Sequence, residues 1–128
     1  MCAWRILVVD DDPDIRRITA LSLSRIGGFL VTAAASAQEA LAKAAEELPD
    51  LILLDVSMPG ADGPTTLALL RAAPRTSRVP VIFFTAEADE ENAARLCALG
   101  AIGIITKPFD LAGLPGRIRD IVSGSGLE

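Results

Sequence analysis

Five short apolar runs alternate along the chain with longer amphipathic stretches, and this alternation constrains the fold more than any other feature of the sequence. The runs are 6–9, 30–34, 51–54, 81–84 and 102–105. Apart from the mixed second run, they are continuous, which is typical of strands buried on both faces of a parallel sheet. A strand followed by a crossover helix, repeated five times, predicts an α/β fold: a (βα)5, doubly wound, five-stranded parallel sheet.

Capping residues mark the first two predicted helices. Asp12 before Pro13 predicts the start of the first helix, and Gly27 with Gly28 predicts its end. The residues predicted on the buried face of this helix are Ile15, Ile18, Ser22 and Ile26. The stretch 36–39 is a capping box that starts the second helix, which Pro49 ends.

The remaining helices are placed by glycine, proline and apolar spacing. A third helix is predicted over 65–73, and a fourth ends at Gly100 with Leu96 and Cys97 on its apolar face. Cys97 is interpreted there as a small core hydrophobe. The fifth helix starts at Leu114 or Pro115 and runs to about Val122.

Length and composition limit the classes of protein to consider. A chain of 128 residues with 51% hydrophobic residues predicts one domain, over 1–122, followed by a flexible tail over 123–128. The sequence has no histidine and only two cysteines, far apart, which argues against zinc sites and excludes histidine-dependent triads. A net charge of -5 disfavours direct nucleic-acid binding, and Arg71, Arg75 and Arg78 are interpreted as solvated surface.

Polar residues follow four of the five predicted strands. Asp10-Asp11-Asp12 follow the first, Asp55 the third, Thr85-Ala86 the fourth and Thr106-Lys107-Pro108 the fifth. Ligands of doubly wound sheets bind at this edge, where the carboxyl ends of the strands meet. Asp12 is better explained as a helix cap than as a ligand, because Pro13 follows it.

The chemistry of this set is that of phosphoryl transfer. Clustered carboxylates repel one another unless a proton, a cation or a metal offsets their charge, and Mg²⁺ prefers such oxygen ligands. An aspartate beside Mg²⁺ can attack phosphorus and form an aspartyl phosphate. Lys107 would offer a cation and Thr85 a hydroxyl donor to the phosphoryl oxygens.

Four segments in the right order, each at a predicted strand end, resemble the motifs of response-regulator receiver domains, over Arg5 to about Val122. They are 6–11, 53–60, 84–86 and 107–109. The resemblance implies a flavodoxin-like sheet with strand order 2-1-3-4-5. It also implies that Asp55 takes a phosphoryl group from the phosphohistidine of a sensor histidine kinase or a phosphotransfer protein.

The same resemblance implies a role for each matching residue. Asp11 would bind Mg²⁺ directly and Asp10 largely through water, with Asp55 and the backbone carbonyl of Ser57 completing the protein ligands. The phosphoryl group would be held by three further groups: the Thr85 hydroxyl, the Ala86 backbone N–H and the Lys107 ammonium.

One departure from the family pattern lies on the predicted fifth strand. The switch residue of the fifth strand, often aromatic in receivers, is Ile104 here, which has no ring to couple to the hydroxyl. The resemblance nevertheless implies that phosphorylation changes the surface formed by the fourth helix, fifth strand and fifth helix. Thr85 and Ile104 are the candidate switch residues.

The partners implied are the kinase or phosphotransfer protein and an output protein that the sequence does not identify. We expect a cytoplasmic chain without membrane insertion, either a monomer or a phosphorylation-dependent dimer. An alternative is a receiver-like interaction domain that works without phosphorylation. A second is an aspartyl phosphatase, disfavoured because Ser57 is a poor general acid at the position two beyond the nucleophile.

Overall fold

A computed structural model describes residues 4–58, 60–86, 90–107 and 110–125. Its five strands are β1 (Arg5–Val9), β2 (Leu30–Ala34), β3 (Leu51–Asp55), β4 (Val81–Thr85) and β5 (Gly103–Thr106). Its five α-helices are α1 (Pro13–Leu21), α2 (Ala37–Glu46), α3 (Gly63–Ala72), α4 (Glu90–Ala98) and α5 (Leu114–Ser125). All neighbouring strands pair in parallel, in the order β2-β1-β3-β4-β5, which confirms the predicted fold and strand order.

The continuous apolar strands are explained by two separate cores, one on each face of the sheet. Along β3, Ile52 and Leu54 face the core shared with α2, α3 and α4, whereas Leu51 and Leu53 face the core shared with α5. All four side chains are fully buried. Apolar residues are therefore required at every position of a central strand, as the sequence predicts.

The first helix begins as predicted but does not continue as an α-helix to Gly27. Asp12 caps it by accepting hydrogen bonds from the backbone N–H groups of Asp14 at 2.9 Å and Ile15 at 3.4 Å. After Leu21 the backbone forms a π-helical segment, Ser22–Ile26. A π-helical turn holds more residues than an α-helical one.

The buried stripe of the first helix differs from the predicted one. Thr19, Ser22 and Leu23 form the buried stripe, while Ile18 is 40% exposed and Ile26 is 57% exposed. The predicted buried face was therefore wrong for Ile18 and Ile26. An α-helical period cannot place Ile26 correctly, because the π-helical segment shifts the phase of the helix before that residue.

Contacts from α5 and the loop before it tie the first helix to the end of the fold. The Ser22 hydroxyl donates a hydrogen bond to the Leu111 carbonyl. The Arg119 guanidinium donates to the Gly27 carbonyl at 2.6 Å and lies 4.9 Å from the centre of the Phe29 ring. This geometry is that of a cation–π interaction.

The helix ends show where local sequence signals are sufficient and where they are not. The Ser36 hydroxyl accepts a hydrogen bond from the Glu39 N–H at 3.2 Å, as a capping box requires. In α4, Leu96 is buried as predicted, but Cys97 is exposed, so its interpretation as a core residue was wrong. Leu96 is the only fully buried residue within α4, so the face by which this helix contacts the sheet is narrow.

The last helix is longer than predicted. α5 continues through Ser123, Gly124 and Ser125, three residues of the predicted flexible tail, while residues 126–128 lie outside the described part of the chain. The hydroxyl of Ser125 donates a hydrogen bond to the Val122 carbonyl at 2.6 Å, which supports this last turn. None of the helices described here is both long and apolar enough to cross a membrane.

Gly63 allows α3 to start directly against the end of β3. Its backbone N–H donates to the Val56 carbonyl at 2.8 Å. A Cβ atom at this position would lie 2.6 Å from the Asp55 carbonyl oxygen and 2.8 Å from the Val56 Cα. Because both are backbone atoms, no side-chain rotation relieves the clash.

We predict that Gly63→Ala lowers the free energy of unfolding by roughly 1–3 kcal/mol, as overpacking typically does. Gly116→Ala is the matched control. Gly116 lies in α5, and a Cβ atom at this position would meet no other atom within 4 Å. It should leave the stability unchanged or slightly higher. Urea unfolding monitored by circular dichroism measures both, and equal midpoints for the two variants would contradict the prediction.

Candidate functional site

The structure brings Asp10, Asp11 and Asp55 together at the carboxyl edge of the sheet. One carboxylate oxygen from each residue lies within 4.8 Å of the others. β1 and β3 are neighbours in the sheet, with Val9 opposite Leu54, so the residues that come next, Asp10 and Asp55, lie side by side. Both are buried, and Asp11 is exposed to solvent.

Lys107 is the cation that faces this cluster. Its Nζ atom lies 2.9 Å from Asp10 Oδ2 and 3.1 Å from Asp55 Oδ1, and it forms ion pairs with both. The Lys107 backbone N–H donates to the Thr85 carbonyl at 2.8 Å. This bond extends the pairing of β4 with β5 by one residue. The Lys107 side chain can then reach over the ends of the neighbouring strands.

Local backbone groups hold the buried carboxylates. Asp10 Oδ1 accepts a hydrogen bond from the Asp12 N–H at 3.0 Å, and the Asp10 N–H donates to the Ala34 carbonyl at 3.1 Å. Asp55 Oδ1 accepts a longer bond from the Ser57 N–H at 3.3 Å. The positions of Asp10 and Asp55 are therefore fixed by main chain as well as by Lys107.

The electrostatics of Asp55 follow from its burial. Burial and the neighbouring Asp10 charge raise the pKa of Asp55 from 3.8 to about 6, against the opposing effects of Lys107 and the Ser57 N–H. Burial alone would lower the pKa of Lys107, but its hydrogen bonds and ion pairs with Asp10 and Asp55 outweigh burial and raise it. Lys107 therefore stays charged, and the cluster holds more negative charge than one lysine neutralises.

Thr85 and Ile104 lie on the same face of the sheet. Thr85 pairs with Thr106 and Phe83 pairs with Ile104, and residues two apart on a strand point to the same side. Thr85 is buried at the end of β4, and Ala86 follows it in an exposed position. Ile104 packs against the core that includes Leu96 of α4. A change at Thr85 can therefore reach α4 through this core.

The residues present fit a divalent cation that prefers oxygen ligands. Three carboxylates converge, and the exposed Asp11 leaves an approach open from solvent. Mg²⁺ takes one or two carboxylates and keeps several waters, so it needs no complete protein cage. Ser57 is exposed in the loop after β3, next to this cluster.

Two placements were not visible in the sequence. Arg16, which no motif singles out, donates a hydrogen bond from Nη1 to the Asp10 carbonyl at 2.9 Å. Arg71, interpreted as solvated surface, is half-buried and donates to the Val79 carbonyl at 2.7 Å. Only the spacing of Arg16, six residues after Asp10 and within the first helix, could have suggested that it reaches back over the turn.

A comparison with protein families matches residues 6–119 to the response regulator receiver domain. The chain belongs to this family, the receiver domains of two-component response regulators, and is a signalling module. Receivers generally bind Mg²⁺ at acidic residues, which agrees with the carboxylate cluster. Members of the family interact with histidine kinases and with output domains.

Curated relatives include transcriptional regulators. The chain is 40% identical over 121 residues to the transcriptional regulatory protein CseB of Streptomyces coelicolor, covering 94% of this chain and 50% of the relative. It is 35% identical over 126 residues to the phosphate regulon regulator PhoB of Pseudomonas aeruginosa, covering 98% of this chain and 55% of the relative. The chain thus spans about half the length of these relatives.

Solved structures show the same fold. The chemotaxis protein CheY4 of Vibrio cholerae superposes with a TM-score of 0.86 at 31% identity, covering 94% of this chain and 99% of that chain. NtrX of Brucella abortus superposes with the same TM-score and identity, covering 98% of this chain and 28% of that chain. The receiver fold therefore occurs both almost alone and as part of longer chains.

Removing the Asp55 charge should stabilise the metal-free fold at neutral pH. Because the folded protein holds the Asp55 proton more tightly than the unfolded chain, ionisation costs stability, starting near pH 4 and complete above about pH 6. In EDTA, Asp55→Asn should raise the free energy of unfolding by roughly 1–3 kcal/mol at about pH 7.5 and by much less at about pH 4. Denaturant titrations at both pH values measure the difference.

Asp62→Asn is the matched control with the opposite sign. Asp62 caps α3, and its hydrogen bonds from Thr65, helped by the charge of Arg95, lower the pKa of Asp62. The folded state therefore favours the ionised form, and the stability that it adds is lost as pH falls through the lowered pKa. Asp62→Asn should cost stability at neutral pH, and the same sign for both variants would contradict this account.

Proposed function

We propose that Asp55 is the phosphoacceptor of this receiver, working with Mg²⁺ held by Asp10, Asp11, Asp55 and the Ser57 backbone carbonyl. The observation that carries the proposal is the position of Lys107, whose Nζ atom bridges the buried carboxylates of Asp10 and Asp55. A lysine in this position can also bind the oxygens of a phosphoryl group attached to Asp55.

The reaction moves one phosphoryl group between side chains. A carboxylate oxygen of Asp55 attacks phosphorus as the bond from phosphorus to the donor's histidine nitrogen breaks, and the imidazole leaves with that electron pair. Among the described residues, the hydrogen bonds from Lys107 and Ser57 both reach Oδ1 of Asp55, so Oδ2 is the oxygen that we assign to the attack. Mg²⁺, when bound, would offset the negative charge of the carboxylates and the phosphoryl oxygens.

This chain's own groups then hold the product. Lys107 would move its contact from the Asp55 carboxylate to a phosphoryl oxygen, while it keeps Asp10 as a partner. The Thr85 hydroxyl and the Ala86 N–H, at the end of β4, would bind the other oxygens. Slow hydrolysis of the aspartyl phosphate by water would return the chain to its starting state.

The signal would leave the site through the face that Thr85 shares with Ile104. As Thr85 turns toward the phosphoryl group, the space that it vacates lies beside the core of α4, against which Ile104 packs. Ile104 has no ring or hydroxyl, so we propose that it follows Thr85 by repacking in this core. The α4-β5-α5 surface would then change its affinity for an output protein.

We further propose that the receiver acts in the cytoplasm, with a sensor histidine kinase or phosphotransfer protein as donor. The net charge of -5 supports an output through protein contacts, without direct nucleic-acid binding by this chain. A phosphorylation-dependent dimer is one form that the output can take. The match to the receiver family does not favour the alternative of a phosphorylation-independent interaction domain.

Incubation with acetyl phosphate and Mg²⁺ should add one phosphoryl group to the intact protein. Mass spectrometry should show the adduct for the wild type, but not for Asp55→Asn and not in EDTA. Asp50→Asn is the matched control, because Asp50 is an exposed aspartate at the opposite end of β3. An adduct on Asp55→Asn, or none on the wild type while beryllofluoride also fails to bind, would overturn the proposal.

Thr85→Ala should uncouple phosphorylation from the surface change. The variant still accepts the phosphoryl group, because Asp55 and Lys107 remain, but the amide shifts that phosphorylation causes in α4 and β5 should be at least halved. Thr85→Ser keeps the hydroxyl and should retain most of them. Amide NMR spectra with and without beryllofluoride measure the shifts, and full shifts in Thr85→Ala would exclude Thr85 as the switch.

A further inference from the structure

We infer that Arg16 is a positioning residue for the metal site, an inference that rests on the proposed Mg²⁺ binding by Asp10 and Asp11. Arg16 lies in the second turn of α1 and is half-buried. Its Nη1 atom donates a hydrogen bond to the backbone carbonyl of Asp10 at 2.9 Å. That carbonyl belongs to the peptide bond that joins Asp10 to Asp11.

Arg16 holds the short loop from both sides of Asp11. Besides the side-chain bond to the Asp10 carbonyl, its backbone N–H donates to the Asp12 carbonyl at 2.9 Å. The carbonyls of Asp10 and Asp12, one on each side of Asp11 in the chain, are thus both bound by Arg16. Since peptide units are planar, fixing the Asp10 carbonyl also fixes the N–H of Asp11 and limits where the Asp11 side chain can point.

Asp11 needs this support more than its neighbours do. The Asp10 side chain is held by Lys107 and by the Asp12 N–H, and the Asp55 side chain by Lys107 and the Ser57 N–H. Asp11 is exposed, and among the described residues no ion pair or hydrogen bond holds its side chain. Its orientation therefore depends on the backbone that Arg16 restrains.

The contact is not an ordinary surface ion pair. Acidic residues are abundant at this end of α1, but in the described part of the chain the Arg16 guanidinium forms no ion pair with any of them and binds a backbone carbonyl instead. A cation this near the cluster would by itself repel Mg²⁺. If Arg16 acts by positioning Asp11, removing its side chain should weaken Mg²⁺ binding. If its charge dominated, removing the side chain would strengthen Mg²⁺ binding.

We expect Arg16→Ala to raise the dissociation constant for Mg²⁺ about 3- to 10-fold, less than the roughly 10- to 100-fold typical of residues bound to a ligand side chain, because Arg16 acts on Asp11 only through the backbone. Isothermal titration of the folded protein with Mg²⁺ measures it. Arg17→Ala is the matched control, because Arg17 is the exposed neighbour on the same helix with the same charge. It should leave the dissociation constant unchanged. Arg16→Lys can reach the carbonyl with one donor and should restore part of the affinity.

A second readout separates positioning from general weakening of the fold. Phosphorylation by acetyl phosphate should need about 3- to 10-fold more Mg²⁺ for half its maximal rate in Arg16→Ala, with the rate at saturating Mg²⁺ retained. Unfolding in EDTA shows whether the variant is still folded under these conditions. A loss of rate that saturating Mg²⁺ does not restore would indicate a structural role and overturn the inference.

The outcomes for Arg16 and for the proposed function are distinguishable. If the wild type binds Mg²⁺ and Arg16→Ala binds it equally well or more tightly, the positioning role is excluded while the proposed function stands. If the wild type itself shows no Mg²⁺ binding, the proposed metal site fails and the role of Arg16 fails with it. The wild-type titration alone decides between these two cases.

Discussion

The repulsion between buried carboxylates, offset by a single lysine, is the interaction on which the site depends. Asp10 and Asp55 lie at the ends of adjacent central strands, in a position where unpaired charge is costly. Lys107 binds both, but it is one cation against three carboxylates. The metal-free site is therefore left with a surplus of negative charge, which is the condition under which it would bind a divalent cation.

The sheet makes this arrangement possible because it fixes the strand ends independently of the site. The two cores on its faces bury the apolar residues of β1 and β3 up to the positions before Asp10 and Asp55. The free energy of this burial holds the two acidic residues side by side. Gly63 adds a close contact at the same point by letting α3 begin against the backbone of Asp55. The apolar cores therefore stabilise the fold, whereas Lys107 offsets the repulsion between the carboxylates.

The sequence predicted the parallel sheet and the convergence of Asp10, Asp55 and Lys107, because these depend on the alternation of apolar runs with helices and on the shared edge of parallel strands, whereas the strand order followed from the resemblance to receiver domains. It failed where tertiary contacts decide the outcome. The π-helical segment Ser22–Ile26 shifts the helix phase, so Ile26 is exposed although an α-helical period buries it. Cys97 is exposed for a related reason, since the width of the buried stripe of α4 is set by its packing. The contact of Arg16 with the Asp10 carbonyl depends on a turn geometry that residue types alone do not specify.

The contacts between the first helix and α5 have a consequence for how the chain acquires its structure during synthesis. Ser22 bonds to Leu111, and Arg119 covers Gly27 and Phe29, across about ninety residues of intervening chain. Leu23 and the inner side chains of β1 and β3 on this face are not fully covered until α5 has left the ribosome. Domains generally fold as units during translation, and chains with exposed apolar surface are prone to aggregate. A nascent chain that has emerged from the ribosome only as far as residue 113 would therefore have one completed face and one from which α5 is still missing.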